Sequence, residues 1–166
     1  MTDSTDGVYR VDLEKQQFTF SAAHFITFAG DICERLHGHN YGVRASVRGR
    51  LDENRYVIDF IALRDAILRV TERMDHRMLL PESHPEITVT RDEEETTARF
   101  RDRRWVFPNE DCLILPVTNT TAEEIARVIA DEVWKDLGSK TSHLVHFEIG
   151  VDENQGQWGT YVRPMG

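Results

Sequence analysis

Cys33-Glu34-Arg35-Leu36-His37-Gly38-His39-Asn40, running on into Tyr41-Gly42-Val43-Arg44-Ala45-Ser46-Val47-Arg48, is the stretch from which the rest of the chain can be read. Tyr41, Val43, Ala45 and Val47 alternate with Gly42, Arg44, Ser46 and Arg48, the period-two pattern of a strand with one polar face, so a strand is predicted over Tyr41–Leu51. In the segment just before it, His37 and His39 are separated by one glycine and project to the same side of an extended backbone. A third imidazole arriving from a neighbouring segment would complete a three-nitrogen set, and His24 lies close upstream. Three nitrogens is the ligand count of a catalytic zinc that keeps its fourth position open. Three of the seven histidines fall within residues 24–39, beside one of only two cysteines, which favours a shared metal role over unrelated surface or core histidines.

The composition sets bounds around that reading. A chain of 166 residues suits one domain spanning 1–166, large enough to bury a core without metal or disulfide staples. Apolar content of 40% and charged content of 30% are those of an ordinary soluble globular protein. A net charge of −9 argues against nucleic acid as the main partner, because phosphate binding calls for a cationic face. Cys33 and Cys112 are too few for a disulfide framework, and free thiols suit a reducing cytoplasm. The opening MTDSTDGVYR lacks the apolar core of a signal peptide, and no apolar run approaches the length needed to span a bilayer.

Residues 1–7 are small and polar and read as a frayed start. Val11, Leu13, Phe18, Phe20 and Ala22 mark a strand over Tyr9–Ala23, followed by a loop signal at Ala29-Gly30-Asp31. After the turn Asp52-Glu53-Asn54 a short strand is expected over Tyr56–Ile58. Asp59 can cap a helix over Phe60–Met74, whose apolar stripe is Phe60, Leu63, Ile67, Val70 and Met74. Asp75-His76 ends it, and Pro81 blocks its continuation. Between 82 and 115 the pattern gives a strand at Ile87–Thr90, an acidic turn at Arg91–Glu95, a second strand through Thr97–Val106 and a break at Pro108-Asn109. Together these read as an extra β-hairpin around 84–110, followed by a buried run Cys112–Leu115. Thr-x-x-Glu occurs twice in register at Thr120–Glu124, the reciprocal capping signature of a second helix that buries Ile125, Val128, Ile129, Val133 and Leu137 and ends at Gly138. His143–Val151 and Gly156–Val162 make two closing strands around a turn at Asp152–Gln155. The order is strand pair, helix, hairpin, helix, strand pair: an α+β fold with an antiparallel sheet and two helices on one face.

Several residues could carry chemistry beside the metal. Cys33, four residues before His37, could face a metal-bound ligand or be the fourth ligand of a closed structural site, and geometry favours neither. Cationic surroundings or a nearby zinc would lower its thiol pKa and make it a base or nucleophile. Glu34, three residues before His37, is a possible second acid or base. Asp75 beside His76 could orient the imidazole as a proton relay, against the plainer reading of a helix-end charge and an unrelated histidine. Glu153, at a strand end, could accept paired hydrogen bonds from a guanidine-like ring edge, although solvated glutamates are common there. Thr121 and Glu123 at the start of the second helix join it as candidate substrate-binding residues, with capping the alternative account of Glu123.

Taken in order, Phe20-Ser21-Ala22-Ala23-His24, Cys33-x-x-x-His37-Gly38-His39-Asn40-Tyr41, Val57-Ile58-Asp59-Phe60, Met74-Asp75-His76 and Glu153 resemble the 6-pyruvoyltetrahydropterin synthase / 6-carboxytetrahydropterin synthase family. The resemblance spans nearly all of the chain outside 82–115. It implies a tunnelling fold (T-fold), in which the sheets of several subunits join into a barrel, and a homo-oligomer, commonly a hexamer of two stacked trimers with active sites at subunit interfaces. His24, His37 and His39 match the family's zinc ligands, Cys33 its catalytic thiol, Asp75 and His76 its proton-relay pair, and Glu153 its pterin anchor. It also implies a small-molecule pterin as substrate, 7,8-dihydroneopterin triphosphate, with 6-carboxy-5,6,7,8-tetrahydropterin as the expected product of a zinc-dependent lyase. The family also holds members that make 6-pyruvoyltetrahydropterin by triphosphate elimination. The overlapping form Glu34-x-x-His37-Gly38-His39 resembles members that cleave dihydroneopterin to 6-hydroxymethyl-dihydropterin. A non-catalytic T-fold protein that keeps zinc for structure or sensing is the alternative from another class. The chain departs from the family in having Leu80 where an asparagine is frequent, Thr120-Thr121 in place of Pro-Thr, and a longer 82–115 segment.

Overall fold

The computed structural model describes residues 7–30 and 32–165, so the expected frayed start falls outside the described residues except for Gly7, as does Asp31 of the expected loop. Eleven strands and two α-helices follow in the order β1 Tyr9–His24, β2 Thr27–Phe28, β3 Ile32–Cys33, β4 His37–Gly49, α1 Phe60–Met74, β5 Arg77–Pro81, β6 Ile87–Arg91, β7 Glu95–Phe100, β8 Arg103–Pro108, β9 Cys112–Leu115, α2 Ala122–Leu137, β10 Leu144–Asp152 and β11 Trp158–Val162. The main sheet has six strands in the order β11-β10-β4-β1-β5-β9. Among the described residues no helix is long and apolar enough to cross a membrane.

The sheet's register follows from its alternation. Phe18, Phe20, Ala22 and His24 on β1 are buried, and β4 sets Tyr41, Val43, Ala45 and Val47 on the same face, paired Phe20 to Tyr41, Ala22 to His39 and His24 to His37. A register shift between Glu14 and Thr19 bends β1 partway along. Leu63, Ile67, Val70 and Met74 of α1 and Ile125, Val128, Ile129, Val133 and Leu137 of α2 close over that face in one core. Asp59 caps α1 as expected, accepting bonds from Ile61 N at 2.8 Å and Ala62 N at 3.3 Å. Phe60 does not join the stripe; it is exposed, and Ala66 fills the buried face instead.

The sheet is mixed rather than wholly antiparallel, because β5 runs parallel to both β1 and β9. The sequence hid β5: Met78-Leu79-Leu80-Pro81 has no alternation, as befits a strand covered on both faces. Tyr56–Ile58 is a bend leading into the Asp59 cap, not a strand. The expected hairpin around 84–110 is a three-stranded meander, β6-β7-β8, since Arg101, with φ of 54°, turns the chain back within the run read as one strand. This meander has its own small core of Phe25, Met78, Leu80, Ile87, Ala98, Phe100 and Cys112.

Candidate metal centre and active site

β1 ends at His24, β4 begins at His37, and β10 ends one residue before Glu153; antiparallel pairing brings these three strand ends together. His24, His37, His39 and Glu153 each offer a ligand atom there, and these atoms all lie within 4.8 Å of one another. The three rings stand edge to face, with centroids 4.8 to 5.3 Å apart. The site is thus the continuation of the core face past the end of its apolar residues.

Two of the imidazoles have fixed tautomers. His24 Nδ1 lies 2.8 Å from the carbonyl oxygen of Thr120, and His37 Nδ1 lies 2.8 Å from that of Arg35. A carbonyl only accepts, so each Nδ1 carries the proton and each Nε2 turns a lone pair towards the cluster. His24 is fully buried, and burial holds its pKa below the ordinary imidazole value, which keeps it neutral as a ligand must be. Glu153 Oε1 sits 3.1 Å from His39 Nε2 and 3.4 Å from His24 Nε2. Neither contact has hydrogen-bond geometry, and both nitrogens are buried without a hydrogen-bond partner. Unpartnered buried nitrogens carry a desolvation cost that a metal ion would relieve. Three imidazole nitrogens and a carboxylate oxygen are a donor set that zinc accepts. The residues therefore fit a metal ion.

Glu153 is held by its turn. Asp152 accepts from the backbone N–H groups of Gly156 and Gln157, and Glu153 N donates to Gln157 O, so the β10–β11 connection is a closed loop with Glu153 at its base. Beneath the imidazoles, Tyr41 stacks on Phe20 with centroids 4.9 Å apart, and its hydroxyl is buried without a partner. Burial pushes its pKa well above the usual phenol value.

The other predicted residues are arranged around this centre at different removes. Glu34 Oε2 lies 3.9 Å from His37 Nε2. Cys33 is half-buried, its Sγ lies 3.5 Å from the carbonyl of Glu34, and it packs against the meander's apolar core, outside the four-residue cluster. Burial pushes its thiol pKa up, while the Arg103 guanidinium works in the opposite direction.

Asp75 and His76 do form a pair, with Oδ2 to Nδ1 at 2.8 Å. Asp75 Oδ1 also accepts from Ser21 N at 2.8 Å, which with the ring beside it holds the carboxyl below its ordinary pKa. Ser21 Oγ in turn donates to Asn40 Oδ1 at 2.5 Å. Ser21 pairs with Asn40 and Ala22 with His39, so by alternation the Ser21–Asn40 pair faces away from the imidazoles. His76, largely exposed and with φ of 56°, lines a cavity of about 560 Å³ with Ser21, Asn40 and His39 of the metal cluster. Among the described residues no hydrogen bond or ion pair joins it to the three histidines of its own chain.

At the start of α2, Thr121 is the N-cap and accepts from Glu124 N, but the reciprocal half of the capping box is missing because Glu124 pairs with Arg127. Glu123 is exposed on the first turn, and Thr120, the other candidate cap, is buried and presents its carbonyl to His24. Sequence reasoning missed Thr120 as a support for the site; its one signal was a threonine left over once Thr121 had taken the cap. It also missed Asn119, which binds both the N–H and the carbonyl of Thr27, and His84, 2.7 Å from the Thr27 hydroxyl.

Known proteins resemble this chain in sequence and fold. Residues 13–164 match the family described as 6-pyruvoyl tetrahydropterin synthase. A protein of Methanocaldococcus jannaschii named putative 6-carboxy-5,6,7,8-tetrahydropterin synthase is 30% identical over 146 residues, covering 86% of this chain and 88% of its own. The 6-carboxy-5,6,7,8-tetrahydropterin synthase of Haemophilus influenzae is 29% identical over 126 residues, 73% of this chain and 81% of that one. A solved structure of Plasmodium vivax 6-pyruvoyltetrahydropterin synthase, in which a glutamate described as a catalytic residue was replaced by alanine, superposes with a TM-score of 0.89 at 29% identity, covering 96% of this chain and all of the other. The fold is the T-fold of these synthases, and the chain belongs to the 6-pyruvoyl tetrahydropterin synthase family.

Proposed function

We propose that the chain is a zinc-dependent lyase that converts 7,8-dihydroneopterin triphosphate and water to 6-carboxy-5,6,7,8-tetrahydropterin, releasing acetaldehyde and triphosphate. The observation that carries this reading is the set of three converging imidazoles, two of them with Nδ1 anchored on carbonyls, beside a carboxylate. The names of the Methanocaldococcus and Haemophilus relatives favour the carboxy product. A zinc ion held by His24, His37 and His39 would act as a Lewis acid on the hydroxyls of the substrate side chain.

The chain's own groups divide the remaining work. Cys33, as thiolate, moves protons on one face of the substrate, and His76, oriented by Asp75, serves the other or relays to solvent. Glu153 anchors the pterin by accepting hydrogen bonds from its guanidine-like edge, and Thr121 and Glu123 contribute to substrate binding. Among the described residues no hydrogen bond or ion pair joins Asp75-His76 to the imidazoles of its own chain, and we assign this relay pair to the centre of an adjoining copy. That supports a homo-oligomer, a hexamer of two stacked trimers, with active sites at subunit interfaces. Free Cys33 and Cys112 support a location in a reducing cytoplasm.

A second reading gives the base to Glu34 and the outcome to side-chain cleavage that yields 6-hydroxymethyl-dihydropterin. The Glu34 base is favoured by its carboxylate lying 3.9 Å from His37 Nε2 while the Cys33 thiol packs against the meander's core, and by the glutamate described as catalytic in the Plasmodium synthase. Incubating zinc-loaded protein with dihydroneopterin triphosphate and identifying the pterin by mass spectrometry tests both. The carboxy product with stoichiometric acetaldehyde is expected. A hydroxymethyl or pyruvoyl product without acetaldehyde would move the assignment, and no pterin product at all would refute it.

A further inference from the structure

The meander reaches back to the site through one side chain. Arg103, on β8, donates from Nη1 to the carbonyl of Cys33 at 2.8 Å and from Nη2 to that of Glu34 at 3.0 Å. These are adjacent carbonyls 70 and 69 residues away along the chain, and a guanidinium fork matches two parallel acceptors in a way that an ammonium does not. The fork is itself held: its carbon lies 4.6 Å from the Trp105 ring centroid, and Trp105 stacks on Phe25, at 4.3 Å and 21°, next in sequence to His24. On its other side the Cys33–Glu34 segment is tied to the chain just past β1, where Glu34 N donates to Ile26 O at 2.9 Å and Cys33 pairs with Thr27 in the β2–β3 ladder. The two candidate bases thus sit on a short edge hairpin, and the Arg103–Trp105–Phe25 stack ties that hairpin to the strand end bearing His24.

We propose that Arg103 is a positioning residue, a clamp from the meander that fixes the Cys33–Glu34 segment against the metal centre. The proposal rests on the reading of Cys33 or Glu34 as the group that moves substrate protons. It gives the 82–115 segment a task in the reaction: β8 presents Arg103, Trp105 and Phe107 on one face, half-buried, while Arg104, Val106 and Pro108 alternate outwards. The positive charge also works against the burial that disfavours the Cys33 thiolate.

The test uses two variants, Arg103→Lys and Arg103→Gln, and two independent readouts. Neither lysine nor glutamine can bridge both carbonyls with a charged fork. Hydrogen exchange of peptides covering residues 26–36 should quicken about tenfold in both variants while α2 peptides, which report global stability, stay unchanged. With zinc content at the wild-type level, kcat should fall by roughly 10- to 100-fold and KM should change little, because misplacing a catalytic group by about 1 Å has a cost of that order. Lysine, which retains the charge, should recover only part of the loss. Unchanged exchange in 26–36 overturns the clamp whatever the turnover. Faster exchange with unchanged kcat overturns the positioning role. If wild-type protein turns over no pterin, the functional reading fails, and the exchange data still decide the clamp by themselves.

Discussion

Gly159→Ala is a substitution remote from the metal ligands that should nonetheless be felt there. Gly159 is on β11, and its φ lies outside the left-handed region, so alanine is compatible with the backbone and would by itself stabilise by about 0.4–1 kcal/mol through the unfolded chain. The space decides otherwise. A Cβ at 159 would stand 2.6 Å from the backbone nitrogen of Glu123 and 2.7 Å from both the carbonyl carbon and the Cβ of Ala122. Carbon contacts relax only at about 3.5–4.0 Å, so the first turn of α2 must retreat by roughly 1 Å. Overpacking of this kind costs about 1–3 kcal/mol, which outweighs the entropic gain and leaves a net loss of about 1–2 kcal/mol. For a chain of this size that is a fall in melting temperature of about 2–8 °C. The same retreat moves Thr120, whose carbonyl holds His24 Nδ1 at 2.8 Å. Loss of such an outer partner typically weakens metal binding about 10- to 100-fold. Thermal melts of the metal-free protein and a chelator competition for zinc read the two effects separately. An alanine variant that melts at or above the wild-type temperature and binds zinc equally well would refute the close approach and its link to His24.

Three further outcomes follow from the geometry. Cys33→Ala should abolish carboxytetrahydropterin formation with zinc content intact, whereas Glu34→Gln should do so if the carboxylate is the base; metal analysis beside the product assay separates them, and loss of zinc from Cys33→Ala would make the thiol a ligand. Tyr41→Phe removes a buried hydroxyl that has no partner, so urea unfolding should show equal or greater stability, by up to about 1 kcal/mol; a loss above that would mean the hydroxyl is bonded. His84 accepts two backbone N–H bonds at Nδ1, from Glu86 and Ile87, and burial holds its pKa down, so its ring is neutral in the fold. The unfolded chain then binds the extra proton, which makes this part of the stability complete above about pH 6.5 and lost as pH falls through the lower folded-state value. His84→Asn should show a smaller drop in unfolding free energy between pH 7.5 and 5.5 than wild type, and equal drops would contradict the assignment.

The parts of this protein legible in its sequence are those governed by short-range periodicity. The alternation of Tyr41–Val47 and the 3–4 spacing of α1 and α2 gave their elements because each buries a single face, and His37-Gly38-His39 was readable for the same reason. β5 was not, because a strand buried on both faces carries no period, and Arg101 turned the chain without glycine or proline to mark it. The supports of the site were invisible for a different reason. Thr120 acts through its backbone carbonyl, which any residue possesses, and Arg103 through a contact across 70 residues. The seat of Asp75-His76 on the Ser21 backbone, 54 residues away, is likewise a long-range contact that local periodicity does not signal.

The claim on which the rest depends is that three imidazoles, and no thiol, hold a zinc ion. Zinc K-edge X-ray absorption on the zinc-loaded protein at one equivalent tests it directly. The account predicts only nitrogen and oxygen neighbours at about 2.0–2.2 Å, with the outer-shell pattern of imidazole rings lost stepwise in His24→Ala, His37→Ala and His39→Ala. A sulfur neighbour at about 2.3 Å would contradict it, making Cys33 a ligand of a closed site rather than a group free to act on substrate.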